Sequence, residues 1–366
     1  CSYGVKLSGR SPMIIIKKII FIPIILFFIG CMHPNEENLW SISEEAVLST
    51  DGFCRNISVN DGKAYVAAGQ AGVQIWDLNL GQRLHEFMGY SQDGAFIEFH
   101  DISLVKRDEE NDLIFVTESN KEVKVFLFGN NNQFIFVNEI MSVGTKDYIS
   151  YSLPDSRFAM YVADNDDGLK WGQYEMKYDT TIVDIISSPD TIITLQCSPY
   201  NGIGGEITTN GKPLGIDSDG VTKIAMAVDQ LGIEFYDLDA IGSEPVLSER
   251  YDLDGNAEQV EITNSGAFVS CDDFGAYYLS NDYIGSGEGS IIHFAEDLTV
   301  DHISVNNNIA ALSLGSKGIA LYDISNPINP EPRGIFDVGY VYRSRFWNDR
   351  LLLCTRSGLK IIVIDS

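Results

Sequence analysis

Two neighbouring pairs stand out as capable of chemistry, His100-Asp101 and Asp301-His302. A carboxylate beside an imidazole can set its tautomer and move a proton, and two imidazoles with a carboxylate can hold a transition metal. None of the spacings that usually deliver such a metal site (HxH, HExxH or CxxC) is present. Both pairs open a short segment of alternating apolar character, residues 100–105 and 301–306. Segments of the same kind begin near Asn56, Asp147, Asp184, Gln259 and Arg343. If such segments surround one axis, their first residues converge. The expected ligand site is then a ring of mixed charge at the mouth of a central channel, made by Asn56, His100, Asp101, Asp184, Asp301, His302 and Arg343.

A second candidate is calcium. Asp164-Asn165-Asp166-Asp167-Gly168 places carboxylates at alternate positions before a glycine, and Glu175 falls twelve positions from Asp164 inclusive. Asp164, Asp166 and Glu175 are therefore candidate Ca²⁺ ligands, although the glycine comes one place early for the full loop. No other cofactor is indicated. Gly-x-Ser-x-Gly, phosphate-loop and dinucleotide fingerprints are missing, so no catalytic residue is assigned. Cys54, Cys197, Cys271 and Cys354 are expected to be buried free thiols, the last three on equivalent second strands.

The elements that must position these residues form a repeat of about 41 residues. Its signature is Gly-apolar-x-apolar-aromatic-Asp-apolar: GVQIWDL (72–78), GIEFYDL (232–238) and GIALYDI (318–324) are the best copies. Weaker copies begin at Glu122, Gly168, Gly275 and Gly358, and a poor one, GGEITTN, at Gly204. A second strand precedes each copy and a third lies before that, separated by turn residues such as Asn60-Asp61-Gly62. A fourth strand follows, and no long helical period interrupts the series. Four strands per unit, many units and no helices read as all-β, a single β-propeller of eight four-stranded blades, with seven as the alternative if residues 189–222 are an excursion from one blade. The chain ends after a third strand, and residues 39–49 have no blade of their own. They are expected to close the ring as the outer strand of the last blade. The repeated aromatics, Tyr65, Trp76, Phe126, Tyr161, Phe235, Tyr236, Phe268, Tyr277 and Tyr322, are expected to pack between blades.

VNDGKAYVAAGQAGVQIWDL (59–78), NNNIAALSLGSKGIALYDISNPINPEPRG (306–334) and GLKIIVID (358–365) resemble the LVIVD repeat of bacterial and archaeal cell-surface proteins. The resemblance covers most of residues 50–366. It implies a propeller at the cell surface and no defined activity.

The N-terminus reads as an address. Lys6, Arg10, Lys17 and Lys18 precede an apolar run of residues 19–30 without an acid. The run is shorter than the ~20 residues of a spanning helix. It ends Leu26-Phe27-Phe28-Ile29-Gly30-Cys31, which resembles the bacterial lipobox, with Phe28 a departure from the usual Leu. The resemblance implies cleavage before Cys31 and acylation of that residue. The expected organisation is a signal peptide over 1–30 (with 1–12 an upstream artefact, since Met13 begins a complete signal), a lipidated linker over 31–38 and the propeller over 39–366. Met32, not Asp, follows the Cys; for a Gram-negative source the lipobox resemblance then implies sorting to the outer membrane, so the expected destination is the outer membrane or cell surface.

Composition narrows the partners. The chain carries 25 basic against 52 acidic residues, a net charge of -27. Phosphate backbones need clustered Lys and Arg, so nucleic acid is excluded. The membrane enters as a partner through the lipid anchor alone. The expected function is a surface-anchored lipoprotein that binds a protein or glycan partner, or acts as a scaffold, through its propeller faces. The enzymatic alternative is an extracytoplasmic hydrolase or lyase working at the channel mouth.

Overall fold

The computed structural model describes residues 39–129, 132–140, 144–185 and 188–365, with the side chains of 178–194 left aside. The expectations placed on residues 1–38, Cys31 and its lipid included, lie outside the described residues. Trp40–Ser366 forms one unit.

The first strand, β1 (Ser41–Leu48), is set apart from the blade that follows it. Blade one holds β2 (Asn56–Asn60), β3 (Lys63–Ala67), β4 (Val73–Asp77) and β5 (Gln82–Phe87), and a separate hairpin follows, β6 (Gly89–Gln92) with β7 (Ala95–Glu98). Blade two holds β8 (Ile102–Asp108), β9 (Leu113–Glu118), β10 (Val123–Leu127) and β11 (Ile135–Ile140); blade three β12 (Thr145–Leu153), β13 (Arg157–Asp164), β14 (Gly168–Ile185) and β15 (Ser188–Ile207). Blade four holds β16 (Gly215–Ser218), β17 (Lys223–Ala227), β18 (Ile233–Asp237) and β19 (Val246–Tyr251). Blade five holds β20 (Gln259–Thr263), β21 (Gly266–Ser270), β22 (Ala276–Ser280) and β23 (Ile291–Phe294), with the short helix α1 (Asn281–Ser286) between the last two. Blade six holds β24 (His302–Asn306), β25 (Ile309–Ser313), β26 (Ile319–Asp323) and β27 (Glu331–Phe336). Blade seven holds β28 (Val341–Trp347), β29 (Arg350–Thr355) and β30 (Gly358–Asp365), and β1 completes it beside β30.

The ring therefore has seven blades and not eight. The unit counted at Gly204 is no third strand: Gly204–Ile207 is the end of β15 and pairs with Gly172–Leu169 of β14. That long hairpin, an excursion from blade three, is what stretched the count. It also moves Cys197 from a second strand to a fourth, while Cys354 lies on β29 as expected.

The repeated glycine has a steric origin. Gly72, Gly232, Gly275 and Gly318 all have φ between +76° and +87°, where a Cβ is strained. A Cβ there would also run into the carbonyl oxygen of Phe87, Tyr251, Ala295 or Phe336, at the end of the fourth strand or just after it. Gly358 repeats the pattern in blade seven, and the carbonyl it faces belongs to Leu48 of β1. The N-terminal strand thus occupies the place of a fourth strand in detail, and it pairs antiparallel with β30 from Ser41–Asp365 to Leu48–Leu359.

Side chains of each middle strand point to both neighbouring blades, so the core is a series of wedges and not one central cluster. Leu48, Cys54, Trp76, Leu352 and Cys354 fill the wedge between blades seven and one. Tyr65 and Phe126 pack between blades one and two, Tyr161 and Tyr236 between three and four, Phe235 and Tyr277 between four and five, and Phe268 and Tyr322 between five and six. All nine repeat aromatics are buried in such wedges, as their period predicts.

Deletion of residues 36–50 is expected to remove the partner of β30 and lower the melting temperature by more than about 10 °C, a loss of several kcal/mol for a chain of this size. Gly318→Ala is expected to destabilise by more than about 1 kcal/mol, because φ and space are both wrong for a Cβ. Thermal unfolding followed by circular dichroism measures both, and an unmoved transition for the deletion would rule out closure by β1.

Candidate functional site

Every inner strand starts on one face of the ring, called the upper face below. The inner strands of all seven blades line a central cavity of about 350 Å³. Two positions per strand, spaced by two, reach it: Asn56 and Ser58, Gln259 and Glu261, His302 and Ser304, Arg343 and Arg345. The spacing follows from the strand period, which returns a side chain to the same face every second residue. Blades two, three and four add Lys106, Asp147 and Asp217.

Of the ring expected from sequence, Asn56, His302 and Arg343 come together in this cavity. His100 and Asp101 stay on the upper rim, just before β8. The His100 ring is exposed and its backbone N–H donates to Glu118 Oε1 at 2.8 Å. Asp101 accepts from Ser119 Oγ at 3.1 Å and pairs with Arg55 at 3.7 Å. Asp301 is also on the rim, where burial and then the charges of Asp272 and Asp273 push its carboxyl up. Asp184 leaves the ring altogether: it belongs to the β14–β15 hairpin, paired with Pro189, and not to an inner strand. The inner strand of blade four is β16, and Asp217 stands there instead. Sequence reasoning stopped at the first residue of each strand and so passed over Glu261 and Arg345, which the period of two assigns to the channel.

The cavity brings charges of both signs together. Asp147, buried, receives Lys106 at 3.8 Å and Arg343 at 3.5 Å. Lys106 Nζ also donates to the Tyr148 carbonyl. Asp217 Oδ2 accepts the Ile262 N–H at 2.8 Å, and Glu261 Oε2 accepts the Val305 N–H at 3.0 Å. Burial, with the Asp217 charge added, pushes the Glu261 carboxyl up to about 8, so it carries a proton at neutral pH. Burial, and then the charges of Arg343 and Arg345, hold His302 well below its ordinary 6.5, so its ring is neutral. Its Nδ1 is buried without a hydrogen-bond partner.

A second feature occupies the upper rim at the seam of blades seven and one. The Arg356 guanidinium lies 4.1 Å from the Tyr340 ring centroid and Arg55 lies 4.8 Å from that of Tyr342. Tyr340 and Tyr342 are 4.6 Å apart, and Phe53 beside them is half exposed. Across the rim, blades four to six present acids. Burial and then Asp272, Asp229 and Asp301 push Glu258 up to about 7.

The calcium candidates are not brought together. Asp164 Oδ1 accepts the Asp166 and Asp167 N–H groups at 3.0 and 3.1 Å, and its other oxygen faces Lys170 at 3.6 Å. Glu175 pairs with Lys177 and sits opposite Arg157, seven register places from the Asp164–Gly168 row. At ~3.3 Å per residue that is roughly 20 Å away. Among the described residues no group of three His, Cys, Asp or Glu is placed to hold a metal ion. Cys54, Cys197, Cys271 and Cys354 are buried and free. Burial pushes the Cys54 thiol well up, with Cys354 beside it.

No protein-family model matches the chain, and no curated protein matches it. Solved structures do. The computationally designed Ika8 protein aligns with a TM-score of 0.58 at 12% identity, covering 88% of this chain and 99% of its own. U3-55K aligns with 0.61 at 10%, over 88% and 98%. The RRP9 WD40 repeats align with 0.61 at 10%, over 88% and 100%. At these identities the likeness shows the fold, a seven-bladed propeller.

Between pH 4.5 and about 8 the folded chain holds a proton on Glu261 that the unfolded chain has lost. Stability therefore falls as pH rises through that window. Glu261→Gln is expected to make the melting temperature decline less steeply from pH 5 to pH 9, with Glu258 and Asp301 still contributing in the same sense. A slope identical to that of the native chain would show that Glu261 is not held protonated.

Proposed function

We propose that the protein is an exported, lipid-anchored binding module of the cell surface, held by Cys31 and engaging a protein partner through its upper face. The observation that carries this reading is the direction of β1. Ser41 opposes Asp365, where a third strand ends on the lower face, and Leu48 reaches the upper one. Trp40 donates its N–H to the Arg333 carbonyl at 3.0 Å near the start of the fourth strand of blade six. The chain thus enters the ring at the lower rim, nine residues after Cys31. That entry point leaves the upper face free for a partner in this reading.

The upper face carries what a protein interface uses. Tyr and Arg dominate interface hot spots, and the Phe53, Arg55, Tyr340, Tyr342 and Arg356 seam is built of them. The resemblance of the repeat to the LVIVD type supports a cell-surface address. Among the described residues no helix is long and apolar enough to cross a membrane. Two or more acyl chains suffice for the anchor, since each buried CH₂ contributes ~0.8 kcal/mol.

Expression in a bacterium fed labelled palmitate tests the tether. The native chain is expected to take up label and to sediment with the membrane fraction. Cys31→Ala is expected to lose the label. Incorporation that survives Cys31→Ala would overturn the anchor.

A further inference from the structure

The cations of the central cavity are not all used. Lys106 and Arg343 share Asp147, and Arg107, which borders the cavity, turns to Asp112 at 3.0 Å. Arg345 is exposed to the cavity and, among the described residues, makes no hydrogen bond or ion pair. Its charge nevertheless reaches His302, Glu261, Asp217 and Lys106, so it sits amid the ring and not at its edge. The carboxylates do not offset it. Asp147 is already shared by two cations, Asp217 is engaged by the Ile262 N–H, and Glu261 is protonated at neutral pH. His302, which also lines the cavity, keeps a neutral ring and so takes none of this charge.

We infer that the central channel is a binding site for a small organic oxyanion, whose carboxylate or phosphate group lies against Arg345 with Arg343 beside it, and whose polar body meets His302, Gln259 and the Ser58 and Ser304 hydroxyls. A cavity of about 350 Å³ is far larger than a bare ion needs and falls in the range of small-ligand pockets. A planar guanidinium grips either oxyanion through paired N–H donors. The protonated Glu261 can donate to the same group. The site is independent of the lipid tether and of the upper-face seam.

The test is a titration of the full chain at fixed ionic strength and pH 7, read by melting temperature and by calorimetry. Inorganic phosphate probes the headgroup alone. Glucose 6-phosphate and gluconate carry a phosphate or a carboxylate on a polar body, and glucose supplies that body without charge. The expected result is saturable stabilisation by glucose 6-phosphate or gluconate and none by glucose, with phosphate weaker. The response to one acid and not the other names the headgroup. Arg345→Gln is expected to weaken binding by 10-fold or more without altering the fold, since its side chain has no partner to lose. Lys360→Gln, on β30 with its side chain on Glu44 of β1, is the control and should bind as the native chain does. Equal stabilisation by glucose, no saturable response to any of the three anions, or a response unchanged in Arg345→Gln would overturn the assignment.

Discussion

At four of the seven seams of this ring, one carbonyl in the upper turn of a blade ties that blade to the next. In four blades the turn between second and third strands is the same: its first left-handed residue, Gly69, Asp229, Asp272 or Gly315, has φ of 44–58°. The carbonyl of that residue accepts the N–H of the repeat glycine at 3.2–3.3 Å. It also accepts an N–H from the next blade: Ile102 at 3.0 Å, Ala257 at 2.8 Å, Val300 at 2.8 Å and Val341 at 3.0 Å. A carbonyl has two lone pairs, and here one fixes the turn while the other fixes the neighbour.

This explains why the repeat is strict in some blades and loose in others. Asp or Gly is needed at the first turn position because ordinary residues resist φ > 0, and glycine is needed at the fourth because the outer strand approaches too closely for a Cβ. Blades one, four, five and six meet both demands. Blade two has Glu122 in the glycine position, and its Glu118 side chain instead accepts from the His100 backbone on the rim. Blade three spends its outer strands on the long hairpin. The last seam joins blade seven to blade one through Cys54 N–H and the Thr355 carbonyl at 3.1 Å, with β1 completing the sheet behind it.

The sequence therefore makes the architecture legible where backbone sterics demand particular residues, and obscures it elsewhere. Gly72, Gly232, Gly275, Gly318 and Gly358 could be found because no other residue fits their places. Closure by residues 39–49 was legible from chain ends alone. The miscount at Gly204 arose because a glycine-rich strand end has the same letters as a repeat start; only pairing with Gly172 and Leu169 tells them apart. The same hairpin misplaced Asp184. In the channel, Asn56, His302 and Arg343 were legible as first residues of inner strands. Glu261 and Arg345 needed the period of two to be carried one step further. The condition of Glu261 and His302 was not legible at all, since both depend on burial and on charges delivered from other blades.

Charge is distributed against the average of the chain. The acidic excess sits on turns and outer strands, where water and salt screen it within about 10 Å. Lys106, Arg343 and Arg345, three of only 25 basic residues, are directed inward to a partly dehydrated channel where each charge acts at greater strength. An acidic coat of this kind repels anions at long range, so it cannot steer an oxyanion to the channel as a basic cleft would. Such a ligand is recognised only on contact, by the unpaired guanidinium. Added salt then has two opposite effects: it relieves repulsion by the coat and speeds entry, and it weakens the final pairing, because Arg345 is exposed and salt anions enter wherever the ligand does.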